Sequence, residues 1–152
     1  MPRLLRSFDL EPLLADLETA DEYAWGSRPH PGWSTLGLRT PSGLVEDAAQ
    51  GPGVDTPLLA RCPAFAAVLA ELKAKNARLS VLAPGGRILE HRDVSHPRRV
   101  HVPLVTNPGA TVTLDRVPYH WAAGEAWAAD FSRPHSAANA GQERRVHLLL
   151  IV

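Results

Sequence analysis

From Arg78 to the end, the chain is a series of short runs rich in β-formers, each stopped by turn chemistry. No feature restricts the fold more. The stops are Pro84-Gly85-Gly86, Asn107-Pro108-Gly109, Ala123-Gly124 and Asn139-Ala140-Gly141, combinations that end strands rather than continue them. They predict strands over 78–83, 86–91, 99–106, 110–115, 117–121, 125–130, 135–138 and 144–152. About eight short strands at this spacing point to a sandwich or jelly roll rather than a βαβ sheet. Period-2 reading assigns faces. Arg99, His101 and Pro103 share one face of their strand, and Val100, Val102 and Leu104 the other. In the last strand Arg145, His147, Leu149 and Ile151 alternate with Val146, Leu148, Leu150 and Val152. Both of its faces are mostly apolar, which predicts a central, buried strand.

Composition changes near residue 76. Before it, Asp9 can cap a helix whose Leu10, Leu13, Leu14 and Leu17 form one apolar stripe. Ser34 to Thr40 alternates at Leu36 and Leu38, as a half-buried strand does. Residues 41–57 hold three prolines and three glycines and read as a loop, either a cover for a site or a plain surface connection. Thr56-Pro57 then opens a second helix, with Leu59, Phe65, Val68, Leu69 and Leu72 on its buried face and Lys73 and Lys75 near its end. The expectation is a single domain over 1–152: a helical and loop-rich part to residue 76, then a β core over 77–152.

Lys+Arg and Asp+Glu are equal at 16 each, so no global field draws in nucleic acid or an anionic membrane, and neither is an expected partner. The local pairs Arg98-Arg99 and Arg144-Arg145 suit small carboxylates better than a polyanion. Cys62, the single cysteine, cannot form an internal disulfide and reads as a small buried apolar group in a reducing compartment. No secretory signal or membrane-length apolar run is present, so a cytoplasmic protein is expected. No feature sets an oligomeric state.

The candidate chemistry lies in His91-Arg92-Asp93, His135 and Arg145. Side chains two apart on a strand point the same way, so one segment can present both His91 and Asp93. Two imidazoles and one carboxylate can hold one face of an octahedral Fe(II) and leave the other open. A buried Arg145 needs an anion, from the protein or from a bound dicarboxylate. The other candidates read more plainly. His30, His96 and His120 lie in turn-rich surroundings, and His147 suits a hydrogen-bonded core position. Trp25, Trp33, Trp121 and Trp127 are first of all hydrophobic bulk. Asp130 either orients a ligand or stabilises a turn, and Arg98 and Arg144 are expected to point to solvent.

Leu79-Ser80-Val81-Leu82-Ala83-Pro84-Gly85-Gly86 through His91, then Arg98-Arg99-Val100-His101-Val102-Pro103-Leu104, resembles the aspartyl/asparaginyl β-hydroxylase family, which includes bacterial proline cis-hydroxylase-like members. So do Gly124-Glu125-Ala126-Trp127, Asp130, His135 and Arg145-Val146-His147. The resemblance covers roughly residues 76–152. It implies a mainly β, double-stranded β-helix core (jelly roll, cupin-like) with the N-terminal helices packed on it. It also implies an Fe(II)/2-oxoglutarate-dependent dioxygenase that uses O₂ to hydroxylate an amino acid or an aspartyl/asparaginyl-type side chain, converting 2-oxoglutarate to succinate and CO₂. By the same resemblance His91, Asp93 and His135 bind the metal, Asp93 matching the acidic ligand of the proline hydroxylase branch. Arg145 and Ser80 hold the distal carboxylate of 2-oxoglutarate, with His101 near the co-substrate. Arg99 meets a carboxylate of the small amino acid or peptidyl substrate. Trp25 and Trp33, outside the resemblance, are candidate substrate walls, and any lid comes from before residue 76. The rival is a cupin-like metal protein, an isomerase or a small-ligand sensor, which has no need of Arg145 or Ser80.

Overall fold

The computed structural model describes residues 1–152. The predicted late strands all form, each within about two residues of its expected span. They are β5 (Asn76–Leu82), β6 (Arg87–His91), β7 (Arg98–Val105), β8 (Ala110–Leu114), β9 (Val117–Tyr119), β10 (Glu125–Asp130), β11 (His135–Asn139) and β12 (Arg145–Ile151). Ahead of them lie β1 (Arg3–Ser7), α1 (Leu10–Ala20), β2 (Gly26–Ser27), β3 (Trp33–Thr40), β4 (Val54–Asp55) and α2 (Pro63–Leu72). Every strand pair is antiparallel. The large sheet runs β1-β10-β7-β12-β5-β3-β2, with β4 also on β3, and the small sheet runs β6-β11-β8-β9. The two sheets form a double-stranded β-helix, and the two helices pack outside it. No helix is long and apolar enough to cross a membrane.

Alternation along the large sheet decides where the core sits. Leu79 and Val81 of β5, Val100 and Val102 of β7, and Val146, Leu148 and Leu150 of β12 join Leu13, Leu17, Phe65 and Leu69 of the helices in one buried apolar cluster. The apolar core is therefore the layer between sheet and helices. The other face of the same strands looks into the barrel. Pairing sets Ser80 opposite His147 and Arg78 opposite Leu149, and then His147 opposite Pro103 and Leu149 opposite His101. With Arg99 and Arg145 this inner face is polar, and β12 is central and buried, as expected.

Local chemistry departs from expectation in three places. Asp9 occupies the N-cap position of α1 but makes no side-chain cap bond. The capping carboxylate is instead Asp16 of α1, which serves α2: its Oδ2 accepts from the backbone N–H of Ala64 at 2.7 Å and of Phe65 at 3.0 Å. That duty explains an aspartate buried between two helices. The second helix starts at Pro63, not Pro57. Thr56 is held in the preceding turn by donating to the Gly37 carbonyl at 2.9 Å, and a 3-10 turn, Leu59–Arg61, intervenes. Loop 41–57 is not a plain surface connection. Asn76 Nδ2 donates to the carbonyls of Ala49 and Gly51 at 2.9 and 2.8 Å, which straps the loop to β5.

Candidate metal centre and co-substrate pocket

The small sheet brings the two histidines together. His91 ends β6, His135 begins β11, and the two are direct partners across the strands. Asp93 follows in a loop fixed by its own N–H donating to the Phe131 carbonyl at 2.8 Å. The ligating atoms of His91, Asp93 and His135 all lie within 4.8 Å of one another. Asp93 Oδ2 is 2.9 Å from His135 Nε2 and 3.4 Å from His91 Nε2. Each imidazole is oriented from behind: His91 Nδ1 is 2.8 Å from the Leu89 carbonyl and His135 Nδ1 is 2.8 Å from the Arg133 carbonyl. A carbonyl only accepts, so Nδ1 carries hydrogen in both rings and Nε2 is the atom left to bind a metal. Two such nitrogens and a carboxylate form a donor set that suits Fe(II).

Electrostatics keep the carboxylate ionised. Burial pushes the Asp93 carboxyl up, but its contacts with the His135 and His91 rings and the charge of Arg99 outweigh it and hold the group well below the ordinary carboxylate range. The Asp93 contact raises the His91 imidazole above its usual value, against the opposing effect of burial. Arg99 lies 3.3 Å from Asp93 Oδ1 through Nη2, and it donates to Gln50 Oε1 at 2.7 Å and to the His96 carbonyl at 3.0 Å. Arg99 thus clamps Asp93 and also lines the pocket.

Inward from the triad, the cavity is walled by Ser80, His101, Arg145, Arg78 and Trp33. Arg145 is 1% exposed, and no carboxylate stands within ion-pair distance of it. Its Nη2 donates to the Ser80 carbonyl at 3.2 Å and to Ser80 Oγ at 3.3 Å, while its Nε has no partner. Burial pushes its pKa down to about 9. Ser80 Oγ also accepts from Trp33 Nε1 at 2.9 Å, so its hydroxyl hydrogen remains to donate to something in the cavity. His101 and His147 share a hydrogen at 3.0 Å through their Nδ1 atoms. Burial first, then the Arg145 charge, pushes both well below the ordinary histidine range, so the pair is neutral.

The structure brings together His91, Asp93, His135, Ser80, Arg99, His101, Arg145 and Trp33 around one cavity. Trp25 is elsewhere: it packs against the helical core, and its indole donates to Asp21 at 3.2 Å. Asp130 is a turn residue, accepting from Ser132 N–H and Oγ at 2.9 and 2.6 Å. Arg144 is not simply in solvent but paired with Asp21 at 2.8 and 2.7 Å. Of the histidines in turns, His30 stacks against the triad, its ring 5.9 Å from that of His91, with its Nδ1 accepting from Leu89 N–H at 3.1 Å.

Among the pocket residues that the sequence reading does not single out are Arg78 and Gln50. Arg78 is buried, donates to the Ala48 carbonyl at 3.2 Å and leaves its Nε without a partner. Burial, aided by the Arg99 charge, pushes its pKa down to about 10. Its signal was available, since it stands two before Ser80 on one strand. Gln50 gives none, because only the fold of loop 41–57 carries it to Arg99.

Comparison with known proteins agrees with this architecture. An oxidoreductase of the 2OG-Fe(II) oxygenase family from Burkholderia pseudomallei superposes with a TM-score of 0.71 at 12% identity, covering 97% of this chain and 82% of its own. A prolyl-4-hydroxylase from Pseudomonas putida gives 0.65 at 14% identity, with 97% and 89% covered. These identities speak for the fold. No curated protein matches the chain. The aspartyl/asparaginyl beta-hydroxylase family matches residues 9–152, so the shared pattern includes the helices and reaches well beyond the 76–152 segment in which motifs are legible by eye. By that match the chain belongs to the aspartyl/asparaginyl β-hydroxylase family.

Proposed function

We propose that the protein is an Fe(II)/2-oxoglutarate-dependent dioxygenase that hydroxylates an amino acid or an aspartyl/asparaginyl-type side chain. One observation carries the reading: a fully buried Arg145 without an anionic partner, its one polar neighbour a serine with a hydrogen still to donate. Isolated buried charge is costly, so a barrel retains it where a ligand supplies the counter-charge. A distal carboxylate taking the guanidinium and the Ser80 hydroxyl together satisfies both. A cupin-like isomerase or sensor leaves that cation unexplained.

His91, Asp93 and His135 would hold Fe(II), which with 2-oxoglutarate and O₂ supplies C–H hydroxylation coupled to decarboxylation to succinate and CO₂. The rest falls to the chain. Arg99 keeps Asp93 ionised and aimed, and the Leu89 and Arg133 carbonyls fix both imidazoles. The neutral His101–His147 pair lies alongside the co-substrate without adding charge. Arg78 and Arg99 leave positive charge in the pocket after Asp93 and a co-substrate carboxylate are counted, which favours a substrate bearing its own carboxylate.

Anaerobic addition of 2-oxoglutarate to the Fe(II)-loaded protein should give a weak visible charge-transfer band, and succinate should appear in air across a panel of amino acids and peptides. Asp93→Ala should lose iron affinity by at least about tenfold, the lower range for disturbing even an outer partner of a metal ligand. Arg145→Gln should keep iron and lose the band at the same 2-oxoglutarate concentration. A folded, iron-loaded protein with neither band nor succinate would favour the cupin-like rival.

A further inference from the structure

Resting on that reading, we propose that the chain contains an aromatic relay, Trp121 with Trp127 and Tyr119, that drains oxidising equivalents from the metal centre when turnover occurs without substrate. The rings are continuous. From His135 the ring centroids step 4.8 Å to Phe131, 5.0 Å to His101 and 5.7 Å to Trp121. From Trp121 the path forks, 5.7 Å to Trp127 and 6.2 Å to Tyr119. Phenylalanine and neutral histidine are not oxidised on this path. They are the packed bridge across which an electron tunnels from Trp121 to the metal.

Hydrogen bonding sets the direction. Trp121 is 4% exposed, and its indole N–H has no acceptor. A radical cation formed there keeps its proton in apolar surroundings, which makes it a strong oxidant of its neighbours. Trp127 lies stacked on it at an interplanar angle of 10°, half-buried, with its indole N–H donating to Glu125 Oε1 at 3.2 Å. A carboxylate against that N–H stabilises positive charge on the ring, so the transfer from Trp121 to Trp127 runs downhill. The opposite wall has the reverse bias. Trp33 also lines the cavity, but its indole N–H donates to Ser80 Oγ, which accepts from the Arg145 guanidinium as well. A fixed cation beside that ring opposes forming a second one.

The electrons balance as follows. Each oxidising equivalent stranded at the metal takes one electron from Trp121 and one proton from solvent, and Trp121 takes one electron from Trp127 or Tyr119. The Tyr119 phenolic proton passes to water, or the Trp127 N–H proton shifts toward Glu125. A soluble thiol or ascorbate then returns a hydrogen atom to the exit residue. Two passes remove two equivalents and spare the ligands.

The test is turnover of the Fe(II)-loaded protein with 2-oxoglutarate and O₂, without substrate or ascorbate, measuring succinate and mapping oxidised residues by peptide mass spectrometry. Oxidation should concentrate on Trp127 and Tyr119, while Trp25 and Trp33 stay unmarked. Trp121→Phe should abolish those marks and speed oxidation of His91 and His135 several-fold. Glu125→Gln, which leaves every ring in place, should move marks from Trp127 to Tyr119. A parallel sample receives hydrogen peroxide instead of 2-oxoglutarate and O₂. Marks there without succinate in the first arm support the relay and sink the 2-oxoglutarate reading. Succinate with oxidation spread equally over Trp25 and Trp33, or unchanged by Trp121→Phe, overturns the relay and leaves the oxygenase intact.

Discussion

Arg145 shows what a single buried charge costs. Its guanidinium is sealed against a serine and a strand, with an orphaned Nε and no counter-ion, so in the ligand-free protein it is a net burden. Arg145→Met keeps the volume and removes the charge. The variant should be more stable than the parent by about 1–4 kcal/mol, the range seen when buried ions give way to apolar side chains. The melting temperature reads this as a rise of about 2–4 °C per kcal/mol at this chain length. Adding 2-oxoglutarate should then raise the parent's Tm and leave the variant's unmoved. A variant that melts lower than the parent without ligand would show that Arg145 is structural. Cys62 makes a different statement. It is fully buried at the start of α2, and burial, with the Asp16 charge adding to it, pushes the thiol from 9.0 up to about 11. The unfolded chain loses this proton first, so between pH 9 and about 11 the folded state binds more protons and stability falls as pH rises. The loss is on the order of 2 kcal/mol by the usual conversion of a pKa shift. Melts of the parent should therefore decline more steeply across that window than melts of Cys62→Ala.

Among the elements, loop 41–57 is the one whose role depends most on tertiary contacts. Asn76, Arg78 and Arg99, from two strands of the large sheet, donate to Ala48, Ala49, Gln50 and Gly51 and bring Gln50 into the pocket wall. Asn76→Ala removes two of these bonds, each worth about 1 kcal/mol, without touching His91, Asp93 or His135. The expected result is faster cleavage by a glutamate-specific protease at the exposed Glu46, with Fe(II) content unchanged. An unaltered cleavage rate would mean that the loop is held by its own turns. The loop also marks where the sequence stops being legible. The eight late strands follow from alternation and turn chemistry, which are local rules; His91, Asp93, His135, Ser80 and Arg145 are singled out by the His-x-Asp spacing and the family resemblance, and strand pairing is what brings them together. β1, β2 and β4 were missed: two have only two residues, and β1 is a largely exposed edge whose pairing with β10 is decided by the partner. Trp25 and the start of α2 were misread because a distant surface overrode a local signal. For Trp25 that surface is the helical core, and for α2 it is the Asp16 carboxylate capping the chain at Ala64 and Phe65.

For the molecule as a whole, the polar interior dictates what must lie outside it. A barrel whose inner wall carries Arg78, Ser80, Arg99, His101, Arg145 and His147 cannot be held by its lumen. Its main cohesion comes from the opposite face of the same strands, packed beneath α1 and α2. That face is continuous across β3, β5, β12 and β7, and β3 is itself a member of the sheet, paired to β5. The segment before residue 76 is therefore half of the core rather than an appendage, which argues for a single folding unit over 1–152. Expressed alone, residues 76–152 should expose Leu79, Val81, Val100, Val102, Val146, Leu148 and Leu150 and leave β5 as a bare hydrophobic edge, a recipe for association rather than folding. Circular dichroism and an amide NMR spectrum should show no cooperative melt and no dispersed signals, with aggregation that grows with concentration. Should that fragment instead melt cooperatively and bind iron, the small sheet and lumen would be self-sufficient, and the helices would have to be reassigned from core to cover.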